Sequence, residues 1–225
     1  MFLRGLTFSL FMVFPAVGAA EPKTCAATTV SVEAVSEMLV QQVCETVRHT
    51  RLMLGACHLS LPRNILVVVS DELSGPSQRC IGIYERAQSR ISVLSPKGLH
   101  SVVDPLSAFA DIEEQIFFES VLVHELTHAA FEYTASGLAS CANNHEYVAY
   151  AMQMLSLPAH ERQKIVATYD IASPIDPLLL NSFIAAMAPD RFAAIVWQHY
   201  SERGNGCSFV RELVSGESTL GLAPQ

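Results

Sequence analysis

Between residues 112 and 133 the chain carries a long apolar run that no Gly or Pro interrupts, with His124, Glu125, Thr127 and His128 embedded in it. Val121-Leu122-Val123 precede these polar residues and Ala129-Ala130-Phe131 follow them. The apolar positions Ile112, Ile116, Phe117, Val121, Leu122 and Leu126 are spread too widely for one narrow stripe. The pattern therefore predicts a helix buried over most of its girth. Asp111 and Glu114 have capping-box spacing, which predicts a start near Ile112. One helical turn separates His124 from His128, so both imidazoles leave the same face. Buried polar rings need partners. Those partners are either neighbouring backbone and carboxylates or one metal ion shared by both rings.

The segment His124-Glu125-Leu126-Thr127-His128 spells HExxH. In that pattern the two histidines grip one Zn²⁺, and the glutamate beside the first is placed to take a proton from a water held by the ion. The chemistry is hydrolysis of a peptide bond. Two core histidines would have no need of Glu125 at that position, which favours the metal reading.

The first twenty residues read as a secretory signal peptide. Arg4 gives a positive start, Leu6 to Val13 is mostly apolar, and Gly18-Ala19-Ala20 offers small residues for cleavage after Ala20. Pro15 and the short span argue against a transmembrane helix. The remainder, secreted or periplasmic on this reading, holds Cys25, Cys44, Cys57, Cys80, Cys141 and Cys207. An even number in an oxidising compartment predicts three disulfides, and no CxxC pair favours a cysteine zinc site instead. The formal net charge of −8, with no basic cluster, excludes nucleic acid and anionic membrane as expected partners.

Length predicts a single domain over 21–215, helical from about 134, with 216–225 as a flexible tail. Val35, Met38, Leu39, Val43 and Val47 predict one amphipathic helix from about Val30 to Leu54. Ile65 to Val69 reads as a buried strand, and the alternation of Ile81 and Ile83, then Ile91 and Val93, as an antiparallel pair. A loop is expected from Pro96 to Leu106. After the histidine-bearing helix, helices are expected from about Asn144 to Leu155, Pro158 to Thr168, Pro177 to Met187, Pro189 to Tyr200 and Cys207 to Val214. Strands first and helices later predict an α+β fold with a small twisted sheet packed on the HExxH helix.

The HELTH segment between apolar runs, preceded by a few strands and followed by helices, resembles the zincin metallopeptidases over roughly residues 61–156. The resemblance implies a zincin-like fold, one Zn²⁺ with three protein ligands and an open position, and a peptide or protein substrate. The metzincin extension is missing, since Phe131 and Thr134 occupy its Gly and His positions. Glu132 lies two turns from His124, too far along a straight helix to share one ion. In the gluzincins a glutamate on the following helix completes the site, and Glu146 lies at a similar spacing, eighteen residues after His128. The chain departs from their pattern in having His145 before that glutamate and Tyr150 four residues after it. His145 remains a rival ligand, and Asn143 with Glu146 has the spacing of a capping box that would use Glu146 for the helix end alone.

The expected set is thus His124, His128 and Glu146 on zinc, Glu125 as general base and Tyr150 as the best-placed donor to an oxyanion. Tyr147, His160 and His199 are lesser candidates for that donor. Glu119 and Glu132 are read as solvent-facing carboxylates or as groups that orient a ligand from behind. The implied activity is that of an exported zinc-dependent metallopeptidase. The alternative is a non-catalytic zinc-binding or disulfide-stapled interaction protein of the cell envelope.

Overall fold

A computed structural model of the chain describes residues 21–73, 80–135, 141–204 and 206–221. The signal-peptide reading of residues 1–20 lies outside the described residues. The architecture is α+β. A five-stranded sheet is built from β1 (Lys23–Thr24), β2 (Ser31–Glu33), β3 (Leu66–Ser70), β4 (Gly82–Glu85) and β5 (Arg90–Leu94), in the spatial order β1-β2-β3-β5-β4. β2, β3 and β5 run parallel, while β1 and β4 pair antiparallel at the two edges. The expected hairpin is present as β4–β5, with Ile83 opposite Ser92 and Tyr84 opposite Ile91.

Helix α1 (Glu37–Ala56) crosses between the parallel strands β2 and β3. The sequence pattern merged β2 into this helix. The boundary is Ser36, whose side chain accepts a hydrogen bond from the Leu39 N–H and caps the helix there. The buried face is also rotated from the expected one. Leu39, Val40, Val43, Val47 and Leu54 point inward, whereas Val35 and Met38 are exposed.

The expected loop after Ser95 is instead helix α2 (Pro96–Val102). Ser95 caps it through the Gly98 N–H and also donates to Asp71. A Cβ at Gly98 would lie 2.6 Å from the Asp71 carbonyl oxygen, so only glycine lets this helix sit so close.

Helix α3 (Glu114–Thr134) carries the HELTH segment. It begins after Glu113 with no side-chain cap, so the Asp111–Glu114 capping box does not form. Two apolar cores hold it. Phe118, Val121, Leu122 and Leu126 pack with the sheet and α1, while Val123, Ala130 and Phe131 pack with the C-terminal helices. At about 25 cal/mol per Å² of apolar surface, burial on both sides fixes α3 far more firmly than helix propensity.

The C-terminal part is helical: α4 (Ala142–Ser156), α5 (Ala159–Ala167), α6 (Ser182–Met187), α7 (Pro189–Glu202) and α8 (Gly206–Ser215). Residues 216–221 do not fray as the sequence predicts. Leu220 is buried, and its N–H donates to Asn144 on α4. The three expected disulfides become two, Cys25–Cys44 and Cys57–Cys207. Cys80 is exposed and Cys141 half-buried, both as free thiols, so no disulfide pins the residues before Glu146. Among the described residues no helix is long and apolar enough to cross a membrane.

Candidate metal centre

α3 and α4 lie side by side, and three donors meet between them. The His124 and His128 Nε2 atoms are 3.0 Å apart. Glu146 Oε2 lies 3.8 Å from His124 Nε2, and Glu146 Oε1 lies 3.7 Å from His128 Nε2. Two ligands about 2.05 Å from a tetrahedral Zn²⁺ stand about 3.3 Å apart, which the three separations bracket. One donor atom from each residue falls within 4.8 Å of the others, and this is a group that could hold a metal ion. All three side chains are partly accessible, at 12%, 16% and 33% exposure.

The orientation of His124 is fixed from behind. Its Nδ1 lies 3.0 Å from Gln153 Oε1, and Gln153 Nε2 in turn donates to the Ser120 hydroxyl. That amide orientation makes Nδ1 the protonated nitrogen, leaving the Nε2 lone pair for the site. Burial pushes the His124 pKa down to about 4 and the His128 pKa well below its usual range. Both rings are neutral near pH 7, the form that ligates metals. Burial raises the Glu146 carboxyl. A half-buried acid beside two imidazole lone pairs gains most from a cation at their centre.

Glu125 sits one residue round the helix from His124 and faces edge strand β4. A Cβ at Gly82 would lie 2.8 Å from its Oε1 and 2.9 Å from its Cγ. The Tyr84 backbone N–H donates to its carboxylate. Burial first, then the negative charge of Glu146, lifts the Glu125 pKa to about 8, against the Tyr84 bond. Displaced values of this kind mark proton-transfer groups as well as structural pairs.

The remaining expected residues separate into near and far. The Tyr150 ring packs edge-to-face on His124, with centroids 4.6 Å apart, and also on Phe192. Burial raises its pKa, so the hydroxyl keeps its proton. His145 tilts on Phe131 and stacks at 6.2 Å on His128, outside the donor triangle. The Asn143–Glu146 capping box is absent. Cys141 occupies the cap position of α4, and the Asn143 side chain instead bonds Leu220 and Ser182. Glu132 pairs with Arg86 at 3.4 Å, and Glu119 accepts weakly from Gln42 and Gln115. His160 pairs with Glu161, while Tyr147 and His199 hydrogen-bond each other in the helical core.

Gln153, Gly82, the Tyr84 N–H and Asn144 were missed at the level of sequence. Gln153 had a readable signal, because residues 146, 150 and 153 share one face of α4. An isolated Gly in a strand pattern likewise signals close approach of another group. Asn144 is fully buried and ties α4 to the C-terminal segment through Leu213, Ser218 and Leu220.

A cleft of about 700 Å³ opens over the donors, lined among others by Ile83, Tyr84, Arg86, Glu132 and His145. No curated protein and no solved structure matches the chain. Residues 30–223, which include every functional side chain described above, match a family of unknown function, DUF6639, and the chain belongs to that family.

Proposed function

We propose that the chain is an exported zinc-dependent peptide hydrolase of the zincin type, with His124, His128 and Glu146 as zinc ligands. The observation that carries this reading is the convergence of three neutral-or-anionic donors with the Glu125 carboxyl at one solvent-accessible cleft. Two imidazoles and a carboxylate suit Zn²⁺, and a purely structural site is normally closed by a fourth protein ligand. Among the described residues the donor group has three members. The two disulfides accord with an oxidising compartment outside the cytoplasm.

Zinc, when bound, supplies a Lewis acid for the scissile carbonyl and lowers the pKa of water at the site. Glu125, seated against Gly82 with the Tyr84 N–H beside it, would take the proton of the attacking water once the charge of a bound cation returns its carboxyl to the ionised form. A C–O bond forms, the C–N bond breaks, and Glu125 passes the proton to the departing amine. Tyr150, kept protonated by burial, is the group assigned to donate to the oxyanion. β4 is paired on its β5 side only, and its open edge suits an extended peptide.

Zinc-loaded protein and its Glu125→Gln variant, incubated with an unfolded polypeptide, test the reading. The wild type cuts, while the variant keeps its zinc and slows by at least about 10²-fold. Equal rates would refute the role of Glu125, and an inert zinc-loaded wild type would refute the hydrolase.

A further inference from the structure

A second cleft, of about 740 Å³, meets the first at the reacting centre, and Gly82, His124 and Glu125 line both. The first cleft follows β4 and the residue after it, through Ile83, Tyr84 and Arg86. The second follows the chain just before β4, through Cys80 and Ile81, and extends between α2 and the α6–α7 corner. His124 and Glu125 therefore stand where the two clefts adjoin, with one cleft to either side of them along the chain that leads into and through β4.

The two halves differ in chemistry. Polar residues dominate the first, with His145 and Glu146 beside the Arg86–Glu132 pair. The second is lined by Val103, Phe109, Phe117 and Val121, with the small side chains of Ala186 and Ala188 leaving room. Two of its lining residues, Val102 and Leu106, are 55% and 91% exposed, large apolar side chains left in water at its mouth. Its carboxylates are engaged locally, Asp104 by the Leu106 N–H and Asp190 by the Ala108 N–H. Arg86 in the first cleft is paired with Glu132, and Arg191 at the start of α7 is the cation of the second among the described residues; neither cleft ends at His124 and Glu125, which line both.

We infer that this site acts on the interior of an extended polypeptide, with an apolar side chain next to the scissile bond seated in the second cleft. The cutting rests on the hydrolase reading above; the apolar subsite does not. Hydrolysis adds one water across an internal C–N bond, leaving a new carboxylate and a new amine, and needs no other reactant.

Two readouts separate these claims. Zinc-loaded wild type is incubated with a mixture of unfolded, alkylated proteins, and the new termini are mapped by mass spectrometry. Internal cuts with Leu, Ile, Phe or Met on one fixed side are expected, favoured at least about tenfold over Ser or Gly. In Ala186→Trp, which fills the cleft, and in Val102→Arg, which makes its mouth polar, that preference collapses while zinc stoichiometry stays unchanged. Single residues released from one end, or internal cuts without apolar preference, would overturn the inference.

The second readout uses zinc-loaded Glu125→Gln and fluorescent end-capped peptides, followed by anisotropy. A Leu/Phe-containing peptide should bind at least about tenfold tighter than its Ser/Gly counterpart, and Ala186→Trp should erase the difference. Such binding without cutting by the wild type would sink the hydrolase and leave the subsite standing. Equal affinity for the two peptides would overturn the subsite.

Discussion

Glu125 lies so close to Gly82 that a single methyl group on that glycine would stand 2.8 Å from its Oε1. The edge strand β4 and helix α3 are thus in register through one side chain and one missing side chain. Gly82 is also common to both clefts, so this contact sits where a substrate would pass.

Gly82→Ala should therefore push the Glu125 carboxyl away from its seat without touching the three donors. Zinc affinity is expected to stay within about threefold, while kcat falls by about 10²-fold, the usual cost of a displacement near 1 Å. Paired zinc titrations and steady-state kinetics check this. A loss of zinc with unchanged kcat per bound ion would show that Gly82 serves the metal site instead.

Gln153 holds His124 from behind at 3.0 Å. Gln153→Leu keeps the volume of the side chain but removes the partner of Nδ1. Competitive chelator titration should show zinc affinity weakened by about 10- to 100-fold. Affinity equal to that of the wild type would mean that packing of Tyr150 alone orients the ring.

Much of this was legible in sequence, and the parts that were not share a cause. The α3 helix and its pair of histidines followed from local periodicity, and the β4–β5 hairpin from alternation of Ile81, Ile83, Ile91 and Val93. Glu146 followed from spacing and a family resemblance. Gly82, Gln153 and Asn144 act through neighbours 43, 29 and up to 76 residues away, and no local pattern encodes those distances. The folded C-terminal segment was missed for the same reason. β2 was lost because Val32, seven residues before Leu39, also fits the apolar periodicity of α1, and α2 because Gly98 disguised a helix that Ser95 and Pro96 start correctly. Six cysteines fixed a set of pairings but could not choose among them.

Asn144 satisfies backbone groups of Leu213, Ser218 and Leu220 two residues before Glu146. Asn144→Ala strands these buried groups, and a loss of about 2–4 kcal/mol in urea unfolding of the disulfide-intact protein is expected. The weakened anchor of α4 should also lower zinc affinity. Unchanged stability would show that water replaces the amide and that the C-terminal segment does not hold the site.

His199 is buried between Tyr147 and Arg203, and burial depresses its pKa to about 4. The unfolded chain binds the proton more readily, near the usual histidine value of about 6.5. The contribution of this group is therefore complete above about pH 6.5 and is lost as pH falls toward 4. His199→Gln should flatten the dependence of unfolding free energy on pH in that window, measured by urea melts at pH 4.5, 5.5 and 7. An unaltered slope would place the acid sensitivity elsewhere.

The central claim is that His124, His128 and Glu146 form a zinc site. Its most direct test is the zinc content per chain of the disulfide-intact protein, purified without added metal or chelator and measured by elemental mass spectrometry. The account predicts about one ion per chain in the wild type and in Glu125→Gln, with the ion lost in His124→Ala and held far more weakly in Glu146→Gln. A protein that carries no zinc and takes up none on titration would contradict it and leave the HELTH segment as a buried helical pattern.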